Sequence, residues 1–303
     1  MPSAFRLLAP AKLNLYLRVV GRRPDSYHEL ETLFERIDLA DELAFTLQPS
    51  GVTLTCDDAS LDCGPTNLVT RAARLLQGTT GTEPGAEIHL IKRIPIASGL
   101  GGGSSDAATT LIGLNRLWEL GLSRQSLREL GAQLGSDVPF FLEEAAFAIG
   151  RGRGEQCEPL PGPTLWHVVV VPPERLSTAQ IYQGFDAQGG GLTGRAPSIT
   201  IAVHALRNGS VDELAAGLYN DLGPEAIRRC PIMQSIQTVL REHRSVGTLV
   251  SGSGSAVFGL YQSPSHAQQA AVQLRGRCPA AWQIAAATTQ RTPATPIQNT
   301  TDD

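Results

Sequence analysis

The chain has 303 residues, a mass of 32.2 kDa, a formal net charge of −4 and a pI near 5.9. This length favours two domains, each large enough to bury a core. The slight acidic excess argues against a nucleic-acid partner, whose phosphates require clustered Lys and Arg. A segment that spans a bilayer requires a run of about eighteen apolar residues, and the sequence contains none. We therefore expect no membrane partner.

The cysteines and the first residues bear on the cellular compartment. Five cysteines occur without CxxC spacing, and an odd number in a chain of this length fits free buried thiols better than a disulfide framework. The apolar run at residues 13–20 is interrupted by Arg18 and lacks a following cleavage site, so we expect no secretion signal. These features predict a cytoplasmic protein in a reducing compartment.

The first half of the chain alternates between strand and helix patterns. Apolar and polar residues alternate over the first three segments, which predicts a β-rich opening, and helical spacing follows. The predicted elements are strands at 12–20, 43–47 and 52–55, a helix at 66–76, a loop at 78–85, a strand at 87–94, an irregular segment at 95–103 and a helix at 104–120.

The second half opens after a cluster of prolines. We predict helices at 126–134 and from 135 to 141, then a buried strand at 166–171 that begins a second unit. The predicted domains are therefore residues 1–160 and 161–287. Gly-rich residues 186–197 are typical of a surface loop, and the composition of residues 288–303 predicts a disordered tail.

The segment from Gly99 to Ser105 carries four glycines and two serines between a predicted strand and a predicted helix. Backbone N–H groups and the positive end of a helix dipole can bind phosphate there. No Lys-Ser or Lys-Thr pair follows, and the third glycine of the dinucleotide fingerprint is absent, which excludes both of those motifs. A phosphate cradle is favoured over a flexible turn with Ser104 or Ser105 as helix cap.

Other candidate residues are ambiguous when taken one at a time. Taken alone, Asp137 before Val-Pro is better explained as a helix cap than as a catalytic base, and Lys12 before an apolar strand is better explained as a solvated lysine. A second glycine-rich turn, residues 251–255, lies between two strand-like segments and fits a plain hairpin. The presence of two glycine loops in one chain makes a backbone-lined anion or substrate site more plausible and leaves the hairpin open. The histidines show no metal-ligand spacing.

Taken together, these segments resemble the GHMP kinases. The resemblance covers most of residues 8–260, and the glycine loop is the motif that the whole family shares. The matching segments are residues 10–15, 21–28, 95–108, 135–141, 150–155 and 251–258.

The resemblance implies an α+β fold with two domains. The N-terminal ATP domain would contain a left-handed βαβ unit, and the C-terminal domain would be ferredoxin-like. It also implies that Lys12 and Asp137 form the catalytic pair. The implied ATP-phosphate cradle consists of Pro95, Ile96, Ala97, Ser98, Gly99, Leu100, Gly101, Gly102, Gly103, Ser104 and Ser105.

The same resemblance implies a substrate alcohol that carries a cytidine diphosphate group, together with ATP and Mg²⁺. No acidic cluster identifies the Mg²⁺ ligands, and nothing in the sequence specifies an oligomeric state. The implied substrate-binding residues are Asn14, Tyr27, His28, Thr178 and Tyr182.

Ser26 departs from the family pattern, which usually has glycine at this position in the turn before Tyr27 and His28. If the turn requires a positive φ, serine costs about 1 to 2 kcal/mol there. The departure therefore bears on how rigidly Tyr27 is held.

Three other functions fit parts of the sequence. A GHMP kinase for homoserine or a mevalonate derivative would not need the aromatic residues Tyr27, His28 and Tyr182. A nucleotide-binding regulator that has lost catalysis would not need both Lys12 and Asp137. An RNA-binding protein that shares the N-terminal fold is disfavoured by the net charge of −4.

Overall fold

The computed structural model describes residues 4–190, 196–292 and 294. The first half of the chain contains β1 (Ala4–Arg22), β2 (His28–Gln48), β3 (Val52–Cys56), α1 (Leu68–Thr80), β4 (Gly85–Ile91), α2 (Gly102–Leu117), α3 (Arg124–Leu134), α4 (Val138–Phe141), β5 (Phe147–Arg151) and β6 (Gln156–Leu160). The second half contains β7 (Trp166–Val171), α5 (Thr178–Ala187), α6 (Ile199–Asn208), α7 (Val211–Gly217), β8 (Tyr219–Asn220), α8 (Gly223–Arg229), α9 (Ile232–Glu242), β9 (Gly247–Val250), β10 (Val257–Tyr261), α10 (Pro264–Arg277) and β11 (Gln283–Thr288).

A sheet built on the long antiparallel pair β1 and β2 forms the first half of the molecule. Its order is β3-β4-β2-β1-β8, and β5 pairs with β2 and then with β6. Strands β3 and β4 are parallel, with α1 between them in the chain. Apolar residues of α1 and α2, such as Leu76 and Leu111, pack with Phe45 of β2 in one core. This packing fixes the start of α2 against the sheet.

A separate sheet of four antiparallel strands forms most of the second half. Its order is β11-β7-β10-β9, so its strands, numbered along the chain, stand in the order 4-1-3-2. Helix α9 precedes β9, and α10 connects β10 with β11. This βαββαβ arrangement is ferredoxin-like, which confirms the predicted architecture of the C-terminal half.

The two sheets are joined by a shared core. Leu13 and Leu15 of β1 pack in one apolar cluster with Val169 of β7 and Phe258 of β10. The chain passes from the first sheet to the second between Leu160 and Trp166, yet the short strand β8 returns to pair with β1. Because burial is continuous across the junction, residues from both halves can be held in register at one site.

Strand β2 and the start of α2 differ from the sequence-based expectations. Most of β2 was not predicted, since its central residues 32–37 are buried without alternation and include Glu35 and Arg36. Helix α2 begins at Gly102 rather than at residue 104. The predicted loop at 186–197 begins after Ala187, because α5 extends that far, and its residues 191–195 lie outside the described part of the chain.

The C-terminal segment was predicted to lose order from residue 288, and this boundary is wrong. Thr288 ends β11, and the Thr289 hydroxyl donates to the buried Glu35 carboxylate at 2.7 Å while it accepts from the Leu165 N–H at 2.8 Å. The Gln290 N–H donates to the Arg36 carbonyl. Composition alone missed these bonds, which satisfy buried polar groups on β2. Residues 295–303 of the predicted tail lie outside the described part of the chain.

The cysteines are unpaired, as predicted. Cys230 is buried and the other four are half-buried, and burial raises the pKa of each thiol, that of Cys157 to about 12. Within the described residues, every helix is too short or too polar to cross a bilayer.

Replacing Thr289 with Val tests whether this segment stabilises the fold. Valine keeps the shape but leaves Glu35 and the Leu165 N–H each without one hydrogen bond, so Thr289→Val lowers the free energy of unfolding by about 1 to 3 kcal/mol. Urea unfolding measures the change. Thr79→Val is the control, since the exposed Thr79 hydroxyl bonds only within α1. Equal stability of wild type and Thr289→Val would contradict the prediction.

Candidate active site

A cavity of about 980 Å³ lies between the two halves of the molecule. From the first half it is lined by β1, the start of β2, the glycine loop and Asp137, and from the second half by α5 and the turn at Gly252 and Ser253. All predicted site residues line this cavity except Leu100 and Ser105, whose side chains are buried. Residues separated by more than two hundred positions therefore meet at one place.

Lys12 is a buried lysine, with 5% of its side chain exposed. Its ammonium donates to Asn14 Oδ1, lies 3.6 Å from Asp137 Oδ2 and stands 5.6 Å from the centre of the Phe34 ring. Burial lowers the pKa of Lys12 below its usual value, while the charge of Asp137 opposes that shift. A solvated surface lysine is thereby excluded.

Asp137 stands at the N-terminus of α4, as the sequence predicted. Its side chain makes no capping hydrogen bond, although the residue occupies the cap position. Instead the carboxylate, 31% exposed, faces the Lys12 ammonium across the cavity wall. A carboxylate that is paired on one side and open to the cavity on the other is available to accept a proton from a bound hydroxyl.

Asn14 is the third residue of the cluster that Lys12 and Asp137 form. Its Nδ2 donates to the Thr32 hydroxyl at 2.8 Å, and that hydroxyl donates to the Tyr16 carbonyl at 2.7 Å. This chain leaves the Asn14 carbonyl oxygen facing Lys12, which orients the ammonium.

The glycine loop, residues 95–105, bends through three residues with positive φ before α2 starts. These are Ala97 (57°), Gly99 (82°) and Gly101 (72°). Because α2 begins at Gly102, Ser104 and Ser105 lie inside its first turn and do not cap it, contrary to the alternative considered from sequence. The first N–H groups of α2 have no acceptor within the helix and can therefore bind a phosphate.

The two glycine-rich turns contact each other directly. The Ser251 hydroxyl donates to the Gly99 carbonyl at 3.1 Å, and the Ala256 N–H donates to the Ser98 carbonyl at 2.9 Å. A Cβ on Gly99 would stand 2.2 Å from the Ser251 oxygen, so only glycine fits. The second turn is therefore part of the same site rather than a plain hairpin.

A buried charge cluster that the sequence analysis missed lies behind the loop. The Lys92 ammonium donates to Asp41 and to Asp106 Oδ2, the latter at 3.1 Å, and both Lys92 and Asp106 line the cavity. Burial raises the pKa of Asp106 well above its usual range, the Asp41 carboxylate raises it further, and Lys92 opposes the shift. Only the positions of Lys92 and Asp106, one on each side of the glycine loop, could have indicated this cluster from the sequence.

Aromatic residues line the far end of the cavity. The rings of His28 and Tyr182 stack with centroids 4.6 Å apart, and the Arg153 guanidinium lies 4.9 Å from the centre of the Tyr27 ring. Burial raises the pKa of Tyr182, as does the charge of Asp137, so this phenol is neutral. The Thr178 hydroxyl is 2.9 Å from that of Ser253, which links α5 to the second glycine turn.

The turn before Tyr27 does require a positive φ. Ser26 has φ of 69°, and the Arg23 N–H donates to the Tyr27 carbonyl at 2.7 Å across the turn. Tyr27 is nevertheless 54% exposed. Serine is therefore strained at a position that a bonded turn holds in place.

A glycine-rich loop at the start of a helix, beside a paired lysine and aspartate and between a mixed sheet and a ferredoxin-like half, is the arrangement of a small-molecule kinase. Residues 67–144 match the GHMP kinases N terminal domain and residues 202–280 match the GHMP kinases C terminal domain. The chain belongs to the GHMP kinase family.

Several individual proteins are similar to this chain over most of its length. The chain is 44% identical to the 4-diphosphocytidyl-2-C-methyl-D-erythritol kinase of Pelotomaculum thermopropionicum over 270 residues, which covers 88% of this chain and 93% of that protein. It is 43% identical to the enzyme of the same name from Citrifermentans bemidjiense over 271 residues, 89% of this chain and 94% of that protein. A crystal structure of 4-(cytidine 5'-diphospho)-2C-methyl-D-erythritol kinase matches with a TM-score of 0.79 and 37% identity, covering 94% of this chain and 99% of that chain.

The fold is shared more widely than the sequence. A homoserine kinase from Cytophaga hutchinsonii matches with a TM-score of 0.76 at 19% identity, covering 98% of both chains. At this identity the match shows the fold alone, so the substrate must be inferred from the site.

Replacing Ser26 with Gly tests the strain in the turn. Glycine removes a left-handed penalty of about 1 to 2 kcal/mol and adds about 0.5 to 1 kcal/mol of chain entropy to the unfolded state. Ser26→Gly therefore raises the free energy of unfolding by about 0.5 to 1 kcal/mol. Ser50→Gly, at an exposed turn residue without positive φ, is the matched control and lowers stability in urea. A loss of stability in Ser26→Gly as well would show that the turn is unstrained.

Proposed function

We propose that this protein transfers the γ-phosphoryl group of ATP to the 2-hydroxyl of 4-diphosphocytidyl-2-C-methyl-D-erythritol, giving the 2-phosphate and ADP in the non-mevalonate isoprenoid pathway. One observation carries the proposal: the Lys12–Asp137 pair lies in a cavity that joins a glycine-rich phosphate cradle to an aromatic end. The relatives that share 43 to 44% identity bear the name of this kinase. The unpaired cysteines support a cytoplasmic location.

Phosphoryl transfer needs positioning and charge stabilisation more than covalent chemistry. In the proposed reaction Asp137 accepts the proton of the substrate hydroxyl as that oxygen attacks the γ-phosphorus. Lys12 lies 3.6 Å away, where its ammonium balances the Asp137 charge and the charge on the transferring group. Asn14 holds the ammonium in place through its carbonyl oxygen.

The residues around the start of α2 fit the ATP phosphates and Mg²⁺. Ser105 Oγ and Asp106 Oδ1 are buried oxygens without a hydrogen-bond partner among the residues that the structure describes. Such oxygens suit Mg²⁺, which takes one or two protein ligands and completes its shell with phosphates and water. When bound, the ion neutralises phosphate charge, and the N–H groups at the start of α2 hold the phosphate oxygens.

The aromatic end of the cavity fits the pyrimidine of the substrate. Sequence reasoning expected Tyr27 and Tyr182 to clasp the base, and we retain this proposal. In the structure the His28 ring lies against Tyr182, so a base whose edge meets His28 would lie beside the imidazole, over the part of the Tyr182 ring that His28 leaves uncovered. The Arg153 guanidinium beside Tyr27 adds a positive charge near the place where a diphosphate would lie.

Homoserine or a mevalonate derivative remains the competing class of substrate, since kinases of both kinds share the fold. These aliphatic molecules offer no ring for Tyr27, His28 or Tyr182 to stack on. An ADP-release assay with each alcohol at equal concentration separates the two proposals. We expect turnover with 4-diphosphocytidyl-2-C-methyl-D-erythritol. We expect little turnover with methylerythritol phosphate, homoserine or mevalonate. Equal kcat/KM with and without the cytidylyl group would overturn the assignment.

Asp137→Asn tests the general base. The amide keeps the shape but cannot accept the proton, so kcat falls by about a hundredfold or more, the usual contribution of general base catalysis. ATP affinity, measured by calorimetry, stays nearly unchanged because the phosphate cradle is intact. Asp212→Asn, an exposed change on α7, is the control and retains activity. Near-normal turnover in Asp137→Asn would show that Asp137 is not the general base and only marks the start of α4.

Tyr182→Ala tests the aromatic end. Stacking on a base is worth about 1 to 3 kcal/mol, so the KM for the cytidylyl substrate rises about fivefold to a hundredfold while the KM for ATP is unchanged. Tyr182→Phe keeps the ring and should be nearly silent. A similar KM increase in both variants would assign the effect to the hydroxyl group instead.

A further inference from the structure

The contact between His28 and Asp186 plays no part in the proposed chemistry. His28 Nε2 lies 2.8 Å from Asp186 Oδ1, and the His28 ring is held flat against Tyr182. Both His28 and Asp186 line the cavity. Arg22 Nη1 lies 3.9 Å from the other oxygen of Asp186. The imidazole is therefore fixed in position, with a charged partner at Nε2.

This geometry decides which ring nitrogen carries the proton. An ionised carboxylate only accepts hydrogen bonds, so His28 Nε2 must be the donor. In the neutral imidazole, Nδ1 then carries a lone pair and can only accept. Nδ1 has no hydrogen-bond partner among residues 4–190, 196–292 and 294, so it is available to a ligand in the cavity.

Pyrimidine bases differ at the edge that such an acceptor reads. Cytosine presents an amino group at position 4, which donates, whereas uracil presents a carbonyl oxygen there, which accepts. A lone pair on Nδ1 accepts a hydrogen bond from the amino group of cytosine and repels the carbonyl oxygen of uracil. Sites built to hydrogen-bond one group reject the analogue that cannot make the bond, because the buried polar atoms are left unpaired.

We propose that Asp186 is a positioning residue that holds His28 in the Nε2–H tautomer, so that Nδ1 selects a cytosine over a uracil ring in the substrate. This inference rests on the proposed function, in which the base occupies the aromatic end of the cavity. Asp186 acts through His28 and does not touch the base.

Kinetics with the cytidine and uridine forms of the substrate test the proposal. Wild type is expected to prefer the cytidine form by about a hundredfold or more in kcat/KM. Asp186→Asn can donate or accept, so it no longer dictates the tautomer, and the preference falls by about tenfold or more. Asp186→Glu retains an acceptor-only group and keeps most of the preference, and Asp212→Asn is the control. A wild-type preference that persists in Asp186→Asn overturns the inference and leaves the proposed function intact.

A second measurement reports the tautomer without catalysis. The ¹⁵N shifts of the two His28 ring nitrogens, assigned by loss of the signal in His28→Gln, are read at about pH 8, where an ordinary imidazole is neutral. Wild type is expected to show a protonated Nε2 and an unprotonated Nδ1, and Asp186→Asn a mixture. A protonated Nδ1 in wild type would overturn the proposal. If neither substrate form is phosphorylated, the proposed function fails, while this spectrum still tests the role of Asp186.

Discussion

The buried ammonium of Lys12 is the constraint around which the site is arranged. A lysine removed from water is stable only when it is paired and hydrogen-bonded, and here the partners are Asn14, two residues away on β1, and Asp137 on α4. Meeting that requirement places α4 against the first sheet. It also keeps Gly101 beside the lysine side chain, where a Cβ would come within 2.9 Å of Lys12 Cγ. The buried charge of Lys12 thus dictates the local packing.

Much of the fold and of the candidate site could be predicted from sequence, because the relevant signals are local. Glycine clusters, strand alternation and the resemblance of residues 95–105 to a known loop depend on neighbouring residues only. Lys12 and Asp137 were each ambiguous alone and became persuasive only within a family pattern. The structure supplies what sequence could not: the burial of Lys12 and the absence of a capping bond at Asp137.

The features that sequence reasoning missed depend on contacts distant in the chain. Lys92 reads as an ordinary strand-end lysine until Asp41 and Asp106 are brought beside it. The polar composition of Thr288 and Thr289 predicted disorder, whereas their hydroxyl groups satisfy atoms more than a hundred residues away. Asp186 pairs with His28 across a separation of 158 positions. Polar residues that complete buried networks carry no periodic signature.

The backbone contacts between the two glycine turns limit how the enzyme can move. Gly99 lies so close to Ser251 that separation of the halves at this point would break the contact between the two glycine turns. This end of the cleft is therefore held closed by contacts between the two halves. A long substrate would exchange more readily from the opposite end, which is lined by the exposed Tyr27 and by α5. A molecule that bridges those two segments would trap product without touching the ATP site, and it would inhibit by slowing release rather than by competing with nucleotide.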